Sequence, residues 1–172
     1  MRTILACSLL LALNAAPAVA QTAVTAPVSF GGDLGIFAPF ENGSSGSFTG
    51  RFTADVYSWD RLGTRFTAGF ANPRLGDKPF DGRADMVFVT GGLIQRLAAS
   101  AYHAYAHTGI GLYHLSGDRS GTDLGIDFGA GFEVPLGMAH VFLTPELTAY
   151  VISGIGPRFS LALTVGLHTR PR

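Results

Sequence analysis

Residues 122–134, TDLGIDFGAGFEV, alternate between apolar and small or acidic positions without a break. Successive strand side chains point to opposite faces, so Leu124, Ile126, Phe128, Ala130, Phe132 and Val134 share one side of an extended ribbon. Asp123, Gly125, Asp127, Gly129, Gly131 and Glu133 share the other. The run has 13 residues. An ordinary strand has roughly 5–6, and a tilted strand crosses a bilayer with about 9–11.

The same two-faced pattern recurs between clusters of Gly, Pro, Asp and Ser, and predicts eight strands near 28–40, 47–59, 64–72, 85–97, 102–115, 122–135, 140–152 and 157–169. In the first, Phe30, Leu34, Ile36 and Ala38 oppose Ser29, Asp33 and Gly35. In the second, Phe48, Phe52, Ala54 and Val56 oppose Thr49, Arg51, Thr53 and Asp55. In the third, Phe66, Ala68 and Phe70 oppose Arg65, Thr67 and Gly69. In the seventh, Val141, Leu143, Leu147, Ala149 and Val151 oppose Thr144, Glu146 and Thr148. In the eighth, Phe159, Leu161, Leu163, Val165 and Leu167 oppose Arg158, Ser160, Thr164, Gly166 and His168. The fourth, DMVFVTGGLIQRL, is apolar on both faces and leaves its register open. No helical periodicity, linker or second domain interrupts the series.

Alternation alone does not say which face is inside. The apolar face of the seven patterned strands carries no charged residue, as a lipid-facing band requires. The polar face is rich in Gly, Ser and Thr, which suits a narrow eight-strand lumen filled by side chains. The prediction is therefore an all-β, eight-stranded antiparallel up-and-down transmembrane barrel. Its lumen would hold Asp33, Asp55, Asp127, Glu133 and Glu146 beside Arg51, Arg65 and Arg158. Buried charges must pair, so these are expected to form an ion-pair network that plugs the barrel.

Composition agrees. Charged residues are 14% of the chain, against about 25% in soluble domains. Lys78 is the sole lysine and the formal net charge is zero, which leaves no basic field for nucleic acid. No apolar run beyond the first residues approaches the ~18 of a membrane helix.

Residues 1–20 read as a secretory signal peptide: Arg2, an apolar stretch from Ile4 to Leu13, and Ala18-Val19-Ala20 as the cleavage signal before Gln21. Residues 21–27 read as a lead-in, and 28–172 as a single barrel domain. Cys7, the only cysteine, lies inside the apolar stretch, so neither lipidation nor a thiol or disulfide in the mature chain is expected.

Connection lengths give an orientation. The connections 60–63, 98–101 and 136–139 read as short periplasmic turns, and 41–46, 73–84, 115–121 and 154–156 as external loops. Loops 41–46, 73–84 and 115–121 are the places where an external ligand would bind. Outer-membrane lipids are the other expected partner, and the chain is expected to be a monomer. Trp59, Tyr102 and Tyr150 fall at strand ends, where aromatic girdles belong.

The segment AYAHTGIGLYHLSGDRSGTDLGIDFGAGFEVPLG, followed by VFLTPELTAY and FSLALTVGLH, resembles the small bacterial outer-membrane β-barrel domains of OmpA/OmpX type. The motifs that carry the resemblance are Gly109-x-Gly111 and Asp127-x-Gly129-x-Gly131-x-Glu133. It implies an eight-stranded barrel in the outer membrane and no single activity, because fold does not fix function. Two features depart from the pattern. The chain ends HTRPR where such barrels end on an aromatic residue, and Pro145 falls mid-strand, where a bulge is expected.

His114-x-Ser116 is the one pair with a catalytic flavour. Lipid A deacylases resemble this architecture and combine a His-x-Ser pair with an acid on the lipid-facing wall. An imidazole needs such a group to orient it, and here Asp118 or Asp123 would have to fold back. Gly117 stands where that pattern has Asn. A girdle histidine and a turn serine are the plainer reading. His103, His107, His140 and His168 have no metal-ligand spacing, the SGDRSGTD loop lacks a terminal Glu for Ca²⁺, and Gly109-x-Gly111 precedes no helix that would make it a dinucleotide loop. No metal and no cofactor is expected. The leading expectation is a non-catalytic outer-membrane barrel serving envelope integrity or loop-mediated binding. A lipid A-modifying barrel enzyme and a soluble periplasmic barrel binding a small apolar ligand are the alternatives.

Overall fold

The eight alternating segments become the eight barrel strands of the computed structural model, which describes residues 28–169 apart from 42, 60, 76–81, 98–102, 118–119, 138–139 and 155–156, and two further short strands lie within the expected external loop 73–84. They are β1 (Val28–Pro39), β2 (Ser47–Tyr57), β3 (Leu62–Ala71), β4 (Arg74–Leu75), β5 (Gly82–Arg83), β6 (Asp85–Arg96), β7 (His103–Ser116), β8 (Gly121–Pro135), β9 (Val141–Ile152) and β10 (Phe159–Thr169). Eight of them close a barrel in the order β1-β10-β9-β8-β7-β6-β3-β2, and β4 and β5 form a separate two-stranded ribbon. Every pairing is antiparallel, including the closing contact in which Asp33 of β1 lies opposite Gly166 of β10. The expected signal peptide, the lead-in, Tyr102 and Asp118 lie outside the described residues.

The register puts the apolar face outside. Leu34, Phe52, Phe66, Ile110, Leu124, Phe128, Leu147 and Leu163 all project outward and are about half exposed or more. Among barrel strands, the only Asp, Glu, Lys or Arg on the outward face is Asp85, at the first position of β6. So wide an apolar wall far exceeds the few hundred Å² a soluble monomer exposes, and it requires an apolar cover. A soluble barrel holding an apolar ligand would need the reverse arrangement.

Neighbouring strands fix what the sequence left open in β6. Met86, Phe88, Thr90 and Ile94 point inward, and Val87, Val89 and Leu93 point outward. Pro145 makes no bulge. The β8–β9 pairing keeps one register from Gly131↔Glu146 to Val134↔Leu143, and only the two pairs between them are missing. The β9–β10 ladder runs through Val165↔Pro145 without interruption. The proline carbonyl lies against Gly131 of β8, so its missing N–H falls on the β8 side, where the ladder opens. The expected loop 115–121 is also shorter, because Leu115, Ser116 and Gly121 join the strands and leave 117–120 as the connection. The long connections at that end are 40–46 and 72–84, the latter containing β4 and β5.

The lumen is filled in layers. At the long-loop end Phe37, Met86, Phe88, Tyr113, Tyr150 and Ile152 form a buried apolar cluster. Its rings meet at 5.6 Å (Phe37–Tyr150), 5.7 Å (Phe88–Tyr113) and 5.7 Å (Phe88–Tyr150), distances at which aromatic pairs attract beyond simple burial. At the short-turn end Tyr57, Ile94 and Tyr105 make a smaller cluster. Charged groups occupy the space between. Tyr150, expected in an outer girdle, is instead a lumen residue at 2% exposure. Its parity with Glu146 and Thr148 on β9 requires this. Trp59 is exposed at the short-turn end, next to the end of β2.

Candidate functional site

The centre of the lumen is built by parity. Thr49, Arg51, Thr53 and Asp55 are successive inward positions of β2, and Thr144, Glu146 and Thr148 are those of β9 across the barrel. Asp33 and Arg51 are Cα partners in β1–β2, and Asp55 and Arg65 are Cα partners in β2–β3. Arg51 Nε lies 3.1 Å from Asp33 Oδ2. Arg65 Nε and Nη2 donate to the two oxygens of Asp55 at 2.8 and 2.9 Å.

Each guanidinium then reaches the far wall. Arg51 Nη2 is 2.6 Å from Glu146 Oε1, and Arg65 Nη1 is 2.7 Å from Glu146 Oε2. Glu146, 2% exposed, also accepts from Tyr105 Oη at 2.7 Å and from Thr148 Oγ1 at 2.7 Å. His107 Nε2 lies 2.9 Å from Oε1. Arg51 adds Nη1 to Thr148 at 3.0 Å and Nη2 to Thr164 at 2.8 Å. A buried carboxylate is tolerated when its lone pairs are all taken by charged or hydroxyl donors, and that holds at Glu146.

Seven of the eight residues expected in the lumen are there: Asp33, Arg51, Asp55, Arg65, Asp127, Glu133 and Glu146 are all buried. Arg158 is not. It precedes the first residue of β10, is exposed, and its backbone N–H donates to Glu41 Oε1 at 2.7 Å. The pattern of β10 does not extend back to it, because the strand begins at Phe159.

The partners of Asp127 and Glu133 also differ from the arginines expected for them. His107 Nδ1 faces Asp127 Oδ1 at 3.3 Å. Arg96 Nη2 lies 3.6 Å from Glu133 Oε1, and the Arg96 guanidinium stacks over the Tyr57 ring at 3.9 Å. His168 Nε2 sits 3.0 Å from Asp33 Oδ1. Arg96, His107 and His168 are thus lumen residues that the charge pattern alone did not bring into the network. Once Ile94 is known to point inward, Arg96 follows by parity two positions on.

The glycine motifs acquire a physical role. Inward glycines on β7 and β8 stand directly opposite large groups: Gly109 faces Asp127, Gly129 faces His107, and Gly131 faces Tyr105. A Cβ on Gly131 would lie 2.6 Å from Tyr105 Oη, and one on Gly109 would lie 2.8 Å from Asp127 Oδ2. The absent side chains are the space into which the network folds.

His114 and Ser116 sit outward at the long-loop end of β7. His114 Nδ1 pairs with Thr122 Oγ1 at 2.9 Å, and Ser116 Oγ donates to the carbonyl of Asp85 at 3.3 Å. Among the described residues no hydrogen bond joins His114 to Ser116 or to a carboxylate. Asp118 lies outside the described residues, and Asp123 is on the opposite face of β8 from Thr122. Among the described residues no group of three or more His, Cys, Asp or Glu is arranged to hold a metal ion.

No protein-family model and no curated protein matches the sequence. Solved structures do. The outer membrane protein OprG from Pseudomonas aeruginosa is similar with a TM-score of 0.63 at 12% identity, over 86% of this chain and 96% of that one. Neisserial surface protein A follows with a TM-score of 0.61 at 14% identity, over 83% and 96%. The outer membrane enzyme PagL has a TM-score of 0.51 at 16% identity, over 82% and 98%. Identities this low speak for fold alone. The chain has the fold of the small eight-stranded outer-membrane β-barrels, the architecture implied by its OmpA/OmpX-type resemblance.

Proposed function

We propose that this protein is a non-catalytic barrel of the outer membrane, with its long-loop end outside the cell, where it supports the envelope and binds through the loops 41–46 and 73–84. One observation carries this reading: an outward wall that needs lipid surrounds a lumen closed by side chains. Glu146 ties β9 to Arg51 and Arg65 on the opposite wall, and the Phe37–Phe88–Tyr113–Tyr150 cluster fills the outer half. Such an interior admits neither a general porin pathway nor an apolar ligand.

An enzymatic reading, of which lipid A modification is the form the sequence suggests, draws support only from the fold shared with the outer membrane enzyme PagL. The rim geometry favours the non-catalytic one, since the imidazole is oriented by a threonine hydroxyl and the serine hydroxyl is spent on a backbone carbonyl. A serine nucleophile requires the base at its own hydroxyl and an acid behind that base.

Planar-bilayer recording of the purified, refolded chain tests the sealed lumen. The expected record is free of conductance steps. A reproducible open-channel conductance from a homogeneous preparation would overturn the reading.

A further inference from the structure

The middle of the lumen buries four carboxylates, Asp33, Asp55, Asp127 and Glu146, against two guanidinium groups, Arg51 and Arg65. Glu133 is matched by Arg96 toward the short-turn end. Arg51 meets Asp33, Arg65 meets Asp55, and both share Glu146. Four negative charges against two positive leave two without a counter-charge, and uncompensated charge in such an interior is expensive. Among the described residues, the other basic side chains buried in the lumen are His107 and His168. His168 sits on Asp33 at 3.0 Å. Asp127 forms no ion pair with either arginine, and its partner among the described residues is His107.

The two nitrogens of His107 face two different carboxylates. Nδ1 is 3.3 Å from Asp127 Oδ1, and Nε2 is 2.9 Å from Glu146 Oε1. A neutral imidazole has one N–H and one lone pair, and an ionised carboxylate only accepts. A neutral ring would therefore turn its lone pair toward one of the two. With a proton on each nitrogen, both contacts become charge-assisted hydrogen bonds. Glu146 has no place for a proton of its own, because its oxygens already accept from Arg51, Arg65, Tyr105 and Thr148. Asp127 Oδ2 is buried without a hydrogen-bond partner among the described residues. A proton there would be a donor with no acceptor.

The groups around the ring agree with a positive charge. Asp127 comes from β8 with Tyr150 of β9 beside it. Glu146 also comes from β9, and Arg51 of β2 and Arg65 of β3 approach His107 through that shared carboxylate. On β7 itself Tyr105 donates to Glu146, and β6 sets the uncharged Ile94 opposite His107.

We propose that His107 is a cationic staple: doubly protonated in the folded barrel at neutral pH, it ties β7 to β8 and β9 through Asp127 and Glu146, and losing that proton as pH rises loosens this side of the lumen. The proposal concerns the lumen alone and is independent of what the loops bind.

The test uses the full chain refolded in micelles with ¹⁵N-labelled histidine. Ring-nitrogen NMR shifts separate the imidazolium from either neutral tautomer. His107→Gln identifies the His107 signals by their loss. Should that variant not fold, glutamine variants of His103, His114, His140 and His168 assign them by elimination. The expected result is that both ring nitrogens of His107 are protonated at neutral pH. Asp127→Asn should lower the His107 titration by about one pH unit or more, a tenfold loss of proton affinity, and Asp85→Asn, on the outward face, should leave it in place. The unfolding midpoint of the unaltered chain should fall as pH rises through the His107 titration. A neutral His107 ring at neutral pH overturns the proposal, including the case in which Asp127 holds the proton instead. An unmoved His107 titration in a folded Asp127→Asn variant overturns it too, as does an unfolding midpoint that stays flat through that titration.

Discussion

Arg65 stands opposite Asp55 across the β2–β3 ladder and grips both oxygens of that carboxylate, at 2.8 and 2.9 Å, while its third nitrogen crosses the lumen to Glu146 at 2.7 Å. One side chain thus joins a local cross-strand pair to the far wall. Arg51 repeats the arrangement from Asp33 to the other oxygen of Glu146. The barrel is stapled through its middle by two guanidinium groups meeting on one carboxylate.

Removing that carboxylate's charge should be costly. Glu146→Gln keeps the shape but leaves two buried guanidinium groups short of a counter-charge, and breaking a buried pair in this way costs about 3–5 kcal/mol. Arg65→Lys should cost less, about 1.5–3 kcal/mol, since one ammonium cannot reproduce the planar fork. Urea unfolding midpoints in micelles check both, and wild-type stability in Glu146→Gln would remove Glu146 from the centre of the account.

Glycines on the two faces should respond oppositely. A methyl at Gly131 would meet Tyr105 Oη at 2.6 Å and the Pro145 carbonyl at 2.7 Å, and overpacking of this kind costs about 1–3 kcal/mol. A methyl at outward Gly32 would meet nothing within 4 Å. Gly131→Ala should lower the unfolding midpoint and Gly32→Ala should leave it unchanged or slightly raised.

An outward charge should disturb the protein only where lipid covers it. Ile110 is 62% exposed, midway along β7. Ile110→Arg in lipid vesicles should destabilise by about 2–4 kcal/mol, the cost of arginine near a bilayer midplane. In a water-exposed wall the same change would be neutral or favourable, so vesicle-based unfolding of this variant distinguishes the two environments.

The rim pair should be dispensable for lipid chemistry. His114→Ala and Ser116→Ala are expected to leave the acylation pattern of lipid A unchanged in cells expressing the protein, as read by mass spectrometry. Loss of an acyl chain with the unaltered protein, and its retention in either variant, would establish the hydrolase reading instead.

Much of the fold was legible in the chain because a closed barrel enforces a strict period of two. Asp127 and Glu133 could be placed inward from their neighbours alone. Arg158 could not, because nothing local marks Phe159 as the start of β10. Arg96 was hidden because Phe88 and Val89 make both faces of β6 equally apolar, and only pairing with β3 and β7 chooses between them. His107 looked like an isolated polar residue because its partners Asp127 and Glu146 lie on two other strands, 20 and 39 positions along the chain. The complementarity of His107 with Gly129 and of Tyr105 with Gly131 is written in the sequence, yet it becomes visible only once the β7–β8 register is known. The same limit applies to Pro145, whose effect depends on which neighbour its missing N–H faces.

The central claim is that the apolar wall faces lipid around a packed, stapled lumen. Its most direct test compares the gel mobility, in SDS, of boiled and unboiled protein taken from isolated outer-membrane fractions. A folded, stapled barrel should run as a compact fast band when unboiled and as a slower band after boiling. A single band of unchanged mobility, from protein recovered in the soluble fraction without detergent, would contradict the account.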